Sequence, residues 1–328
     1  MNVVASTQQH LAVAFVVALI VGWGLFLLLS VKKGPDQIGD EASTAPNRRP
    51  YLDDEAMEGS RLEKAQRGAV ALLLVIVFGL PMYWLREPGR QINAVKGFDK
   101  ESAQRGFILF QPTTSSVPEG NIGHFGCGGC HGSDPKTPGA GGVTNFTITD
   151  AKGNTQFVKW KVPALNTVLL RFTPDEVTTI ITYGRANTPM PAWGVAGGGP
   201  MNDGQIADLV QYLTSIQISA KEAKAQAAQY GTDGSALFDA YCSRCHTKGW
   251  SFDQPESPGS GAFGPNLTNG DALRQFPDPL KQVDFVTLGS EDAKPYGARG
   301  MGTGRMPGFG QMLSEAQIRA IVDYERSL

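Results

Sequence analysis

Cys127-Gly128-Gly129-Cys130-His131 and Cys242-Ser243-Arg244-Cys245-His246 use all four cysteines of the chain. Both have the C-x-x-C-H spacing of a covalent haem attachment site. In that chemistry two thiols bond to the vinyl groups of one haem, and the next imidazole reaches the iron as its proximal ligand. Cysteine pairs can instead be redox-active or form parts of a zinc site. Those readings do not explain why a histidine follows each pair in a chain that has only four histidines. The motifs therefore predict two covalently attached haem c groups. Cys127, Cys130, Cys242 and Cys245 are the attachment residues, and His131 and His246 the iron ligands.

An electron-transfer haem takes a second axial ligand, and a thioether there raises the potential relative to a second histidine. Met190, in Thr188-Pro189-Met190-Pro191, and Met306, in Gly304-Arg305-Met306-Pro307, lie at nearly equal distances past their histidines. Proline after each methionine favours extended backbone, which suits a loop crossing the far face of a haem. A lone Met-Pro reads more simply as core filling; two at matching offsets predict Met190 and Met306 as distal ligands. Met201, Met301 and Met312 are the nearby competitors. His124 reads as a loop residue.

The matching extends into an internal repeat. A Gly-x-x-Leu-Phe segment precedes each motif, Gly106 to Phe110 and Gly234 to Phe238, and Pro163-Ala-Leu-Asn166 and Pro265-Asn-Leu-Thr268 follow. Thr173-Pro174 then opens a helix that stops at Gly184, and Asp278-Pro279 one that stops at Gly289. Gln205 to Ile216 and Gln317 to Leu328 are amphipathic closing helices. Ile206, Leu209, Val210 and Leu213 form one stripe, Ile318, Ile321 and Val322 the other, and Ser314 with Gln317 makes a capping box. Tyr212 and Tyr324 share a repeat position and read as helix packing.

From about Gly97 to Leu328 these residues resemble class I cytochrome c domains. The resemblance implies crossed N- and C-terminal helices around the haem, and a proline carbonyl that orients each proximal histidine, here Pro163 and Pro265. The fold class expected is mainly α: a two-helix N-terminal membrane anchor and two tandem class I cytochrome c domains. The domains are 1–96 (anchor), 97–219 (first), 220–230 (a helical connector) and 231–328 (second). With 40 Gly and 21 Pro in the chain, domains of this size have little aliphatic core, and a haem supplies the missing apolar mass.

The anchor is read from two uncharged runs, about 11–31 and 68–85, each able to cross a bilayer, with Pro81 near the end of the second. The first lacks the basic leader and cleavage site of a signal peptide. Lys32, Lys33, Arg48, Arg49, Arg61, Lys64 and Arg67 lie between the runs, and no Lys or Arg precedes the first. That asymmetry puts the loop in the cytoplasm. The haem domains then lie on the extracytoplasmic side of a plasma membrane, where the resemblance implies that c-type haem is attached.

The repeats differ in an alternating segment from Val143 to Trp160, expected as a β-hairpin turning at Gly153-Asn154, and in a Gly-rich loop from Ser290 to Gly304. Both insertions are expected to be docking surfaces or lids. A formal net charge of −2 and the lack of a basic patch exclude nucleic acid and give little electrostatic steering. Neither repeat holds a substrate site, and a dihaem peroxidase would need one open iron.

The pattern resembles membrane-anchored dihaem cytochromes c of bacterial bc-type complexes, in particular the dihaem cytochrome cc subunit of actinobacteria. That resemblance implies a non-catalytic electron-transfer subunit relaying electrons from cytochrome b and a Rieske iron-sulfur subunit toward a terminal haem-copper oxidase. An N-terminal anchor ahead of two haem domains also resembles the dihaem subunit of cbb-type oxidases. A free membrane-tethered shuttle is the third alternative.

Overall fold

The computed structural model describes residues 14–15, 17–19, 21–26, 59–116, 123–149 and 152–328. The chain divides into two units, Met1–Pro88 and Gly89–Leu328.

In the first unit, the described residues of the expected 11–31 span are helical. The rest of that span, and the loop 32–58, lie outside the described residues. The expected 68–85 span lies inside one long helix, α1, Ser60–Phe110, which is long and apolar enough to cross a membrane. Its apolar side chains, Leu72, Val75, Phe78 and Leu85 among them, are exposed, the arrangement that hydrocarbon solvates better than water does. The helix does not stop at Leu85. It holds both Pro81 and Pro88, and the Arg-, Gln- and Ala-rich sequence that follows has enough intrinsic propensity to continue it.

The second unit holds two repeats of one plan. In the first, α1 ends at Phe110, and the elements after it are α2 (Cys127–His131), a β-hairpin of β1 (Gly142–Thr149) and β2 (Thr155–Val162), α3 (Pro174–Tyr183) and α4 (Asp203–Ser215). A connector helix follows, α5 (Ala220–Ala227). The second repeat has α6 (Gly234–Tyr241), α7 (Ser243–His246), α8 (Asp271–Gln275), α9 (Pro279–Leu288), a short β3–β4 pair (Pro295–Tyr296, Gly300–Met301) and α10 (Glu315–Ser327).

Helix starts follow local chemistry. The Thr173 hydroxyl accepts from the Glu176 N–H while the Glu176 carboxylate accepts from the Thr173 N–H, and Ser314 with Gln317 does the same on α10. These reciprocal bonds satisfy donors that a helix start leaves open. On α4 the cap is Asn202, boxed with Gln205, so the helix begins earlier than its apolar stripe suggests.

In both repeats a glycine lets the first and last helices touch. A Cβ on Gly106 would lie 2.0 Å from the Asp208 carbonyl oxygen, and one on Gly234 would lie 2.2 Å from that of Ala320. Phe110 then meets Tyr212 at 5.1 Å, and Phe238 meets Tyr324 at 5.4 Å between ring centroids. Each tyrosine therefore packs the helix crossing, as its repeat position suggests.

The segment forms the expected hairpin, with Trp160 opposite Thr144 and Gly153-Asn154 between its strands. One face of it is already covered within the chain. Val158, Trp160 and Val162 are buried and pack with Phe252 of the second repeat, so β2 joins the two repeats to each other. Alternation along the strand is the physical reason: one face of β2 is apolar and needs a cover. The Ser290–Gly304 loop is likewise held down, because Tyr296 stacks on Phe285 at 4.4 Å and its carbonyl accepts from Gln275 Nε2.

Candidate functional site

The two C-x-x-C-H motifs sit in matching frames. Gly126 and Gly132 flank α2 with φ of 78° and 92°. The second of these lets the chain turn back so that Gly141 N–H bonds the His131 carbonyl at 2.9 Å. In the second motif Gly261 N–H bonds the His246 carbonyl at 2.8 Å. The loop beyond carries the proline. His131 Nδ1 lies 3.0 Å from the Pro163 carbonyl oxygen, and His246 Nδ1 lies 3.0 Å from that of Pro265. A carbonyl only accepts, so each Nδ1 donates, and each Nε2 keeps its lone pair for a metal.

Burial pushes both imidazoles below the ordinary histidine value; the proline carbonyls oppose it, and Arg244 adds to the lowering at His131. Both rings are therefore held in the neutral form that ligates metal. Gly264 packs so close to the second ring that a Cβ there would lie 2.6 Å from His246 Cε1.

The methionine loops match as well. Trp193 N–H bonds the Ile181 carbonyl and Phe309 N–H bonds that of Val286, both at 3.0 Å. Gly184 and Gly289 end α3 and α9 with φ of 69° and 83°. A Cβ on either would collide with the backbone of the Met-Pro segment, Pro191 in one repeat and Met306-Pro307-Gly308 in the other. Met190 and Met306 are half-buried on these loops. Of the competitors, Met201 is fully buried at 0% and packs in the core of the first repeat, Met312 is buried in that of the second, and Met301 is 60% exposed.

Several observations bear on what such frames could hold. Among the described residues no group of three or more His, Cys, Asp or Glu is arranged to hold a metal ion, which argues against zinc shared by the two cysteine pairs. Cys127, Cys130, Cys242 and Cys245 form no disulfide. Burial pushes Cys127 up to about 11 and Cys242 well above its usual value, which disfavours a charged thiolate at either sulfur. Arg171 is half-buried, its Nη2 donating to the Ala164 carbonyl at 3.1 Å, and its buried Nε has no hydrogen-bond partner among the described residues. Burial, then the nearby Arg244 charge, pushes it down to about 10. An orphaned cationic donor of this kind fits an anionic group such as a haem carboxylate. The residues present thus fit one haem in each repeat.

The sequence did not reveal the cross-domain electrostatics. Arg171 and Arg185 of the first repeat and Arg244 of the second all act on Cys245, and an Arg244 Nη bonds the Lys161 carbonyl. Lys161 in turn lies 4.2 Å from the Trp250 ring centroid. The second attachment motif therefore faces the first repeat, and no spacing rule signals that.

A comparison with known families finds one that matches both repeats, at residues 125–213 and 229–324; it is described as cytochrome C oxidase, cbb3-type, subunit III. No curated protein and no solved structure matches the chain.

Proposed function

The chain belongs to the cytochrome C oxidase, cbb3-type, subunit III family, a membership that implies covalently bound haem c and electron transfer, and from that premise we propose a membrane-anchored dihaem electron relay. One haem c is held by Cys127 and Cys130 with His131 and Met190, the other by Cys242 and Cys245 with His246 and Met306. The relay serves a membrane respiratory complex, with its haem domains on the extracytoplasmic side of a plasma membrane.

The observation that carries this reading is the twofold recurrence of one frame: a histidine Nδ1 at 3.0 Å from a proline carbonyl, and a half-buried methionine on a loop packed against a helix-ending glycine. When bound, each haem supplies one-electron exchange at iron. The protein's part is to fix the imidazole tautomer, to present a thioether, and to exclude water from the pocket. It also packs the two repeats together through Trp160 and Phe252, whose rings lie 5.7 Å apart.

As to the complex, the reading is a subunit that takes electrons from a quinol-oxidising cytochrome b and Rieske iron-sulfur pair and passes them toward a terminal oxidase. The family description favours a second reading, a dihaem subunit of a cbb-type oxidase. Gentle detergent purification of the tagged full chain, with a reduced-minus-oxidised spectrum, separates the two. Co-purifying b-type haem and a Rieske protein support the first, and a haem-copper subunit without them supports the second. Isolation of the chain alone overturns both in favour of a free tethered shuttle.

A further inference from the structure

Between the matched helices of the two repeats, one buried pair differs in chemical kind. In the first repeat Val177 of α3 and Leu213 of α4 are both buried in the core. Counting from the helix caps, their counterparts are Gln282 of α9 and Glu325 of α10. Both are buried, at 2% and 5% exposure. Gln282 Nε2 donates to Glu325 Oε2 at 2.9 Å, and Gln282 Oε1 accepts from Arg326 Nη1 at 3.2 Å. An apolar contact in one repeat is a carboxyl held by an amide in the other.

Among the described residues no cation pairs with that carboxyl. Arg326, next to it on α10, is turned to the Phe276 carbonyl at 2.7 Å and to Gln282. On α9, Lys281 and Asp284 are exposed; on α8, Asp271 and Arg274 pair with each other at 2.5 Å; on α6, Asp239 is exposed and accepts from Trp250 Nε1. The helix packed across α10 is α6, Phe238 meeting Tyr324, and it ends at Cys242, whose thiol is pushed upward by burial first and by Glu325 second. Burial raises the Glu325 carboxyl itself to about 7.

We propose that Glu325 is a proton-binding site coupled to the oxidation state of the second haem. This rests on the reading above that Cys242 attaches that haem. A buried carboxyl held only by a neutral amide costs stability where a leucine would not, and the packing of α10 on the helix that ends at the attachment cysteine gives it a use. Oxidation removes one electron from the iron and leaves an added positive charge, which favours the carboxylate and releases its proton. Reduction by the electron donor of the relay takes one proton back from solvent. The second haem's potential therefore falls as pH rises through the titration of Glu325.

The test is spectroelectrochemistry of the full holoprotein in detergent across neutral pH. Covalent haem content, measured first by mass and haemochrome spectrum, tests the dihaem reading independently. The expected result is that one haem component shifts with pH, approaching one tenfold change in its reduction equilibrium per pH unit (about 59 mV for one electron), while the other stays flat. Glu325→Gln, which keeps the shape and the bond to Gln282, flattens that component; Glu325→Leu, which restores the residue type of the first repeat, does the same. Holoprotein with two haems but no pH-dependent component, or an unchanged slope in either variant, overturns the proposal.

Discussion

Ser290 holds Met306 on both sides of its backbone: its N–H donates to the Met306 carbonyl at 2.8 Å, and its hydroxyl accepts from the Met306 N–H at 3.3 Å. The matching position in the first repeat, Arg185, makes only the first of these bonds, to the Met190 carbonyl at 3.0 Å. The second methionine loop is thus clamped twice by one residue.

If Met306 is the distal ligand, Met306→His keeps a six-coordinate haem and lowers its potential, because imidazole favours oxidised iron more than a thioether does. Axial ligation spans about 0.8 V across haem proteins, so a drop of about a tenth of that or more is expected in one component of a redox titration. Met301→His, at an exposed site, leaves both components in place. A shift from Met301 and none from Met306 would reverse the assignment.

The glycines at the helix crossings are predicted to be intolerant. Gly106→Ala and Gly234→Ala each put a methyl about 2 Å from a facing carbonyl oxygen, far inside contact distance. Overpacking of this kind costs about 1–3 kcal/mol, read as a lower Tm of the holoprotein. Gly22→Ala, on a residue with open space around it, is the control and leaves Tm unchanged.

Much of this was legible in the sequence because glycine, proline and cap residues carry position as well as propensity. Thr173-Pro174 and Asp278-Pro279 open α3 and α9 where the sequence places them, and Gly184 and Gly289 close both helices. What escaped depends on contacts between distant segments. Nothing local marks β2 as the face that meets Phe252, nor Arg244 as the residue reaching Lys161. The Gln282–Glu325 pair was open to discovery: extending the stripe of Ile318, Ile321 and Val322 by one turn reaches a glutamate where the first repeat has Leu213. The long α1 helix was missed beyond Leu85 because hydropathy marks the apolar run and not the helix that outlasts it.

Glu325 also predicts a stability profile. Its folded value of about 7 lies above the ordinary carboxyl value of 4.5, so the folded state binds the extra proton between the two. The stabilising effect of burying the neutral acid is full below about pH 4.5 and is lost as pH rises through about 7, a swing of up to about 3 kcal/mol. Glu325→Gln removes that swing. Thermal unfolding is expected to show the variant as more stable than the parent at about pH 8 and close to it at about pH 5. A stability gap that does not change with pH would show that the carboxyl stays in one state throughout.

Trp160 is the residue on which the joining of the two repeats is predicted to depend. It is 8% exposed, sits between Val158 and Val162 on β2, and meets Phe252 across the boundary between repeats. The other cross-boundary ties near it are polar: the Arg244 bond to the Lys161 carbonyl and the Lys161–Asp253 pair at 3.7 Å. The pair is half-exposed and of the kind worth about 1 kcal/mol or less. Truncating a buried tryptophan costs about 3–5 kcal/mol, so Trp160→Ala should release the hairpin face from the second repeat, while the backbone pairing of Gly142 with Val162 keeps the hairpin base beside Gly141 and Pro163 of the first frame. Rapid-mixing reduction is expected to show slower electron exchange between the haems with unchanged haem content and spectra, and limited proteolysis to cut first in β1 or β2. Phe252→Ala, made from the other side, should reproduce both effects. Unchanged exchange in both variants would mean that the haems communicate without this contact, leaving the polar ties around Arg244 and the packing of Leu170 on the second-repeat core to hold the repeats together.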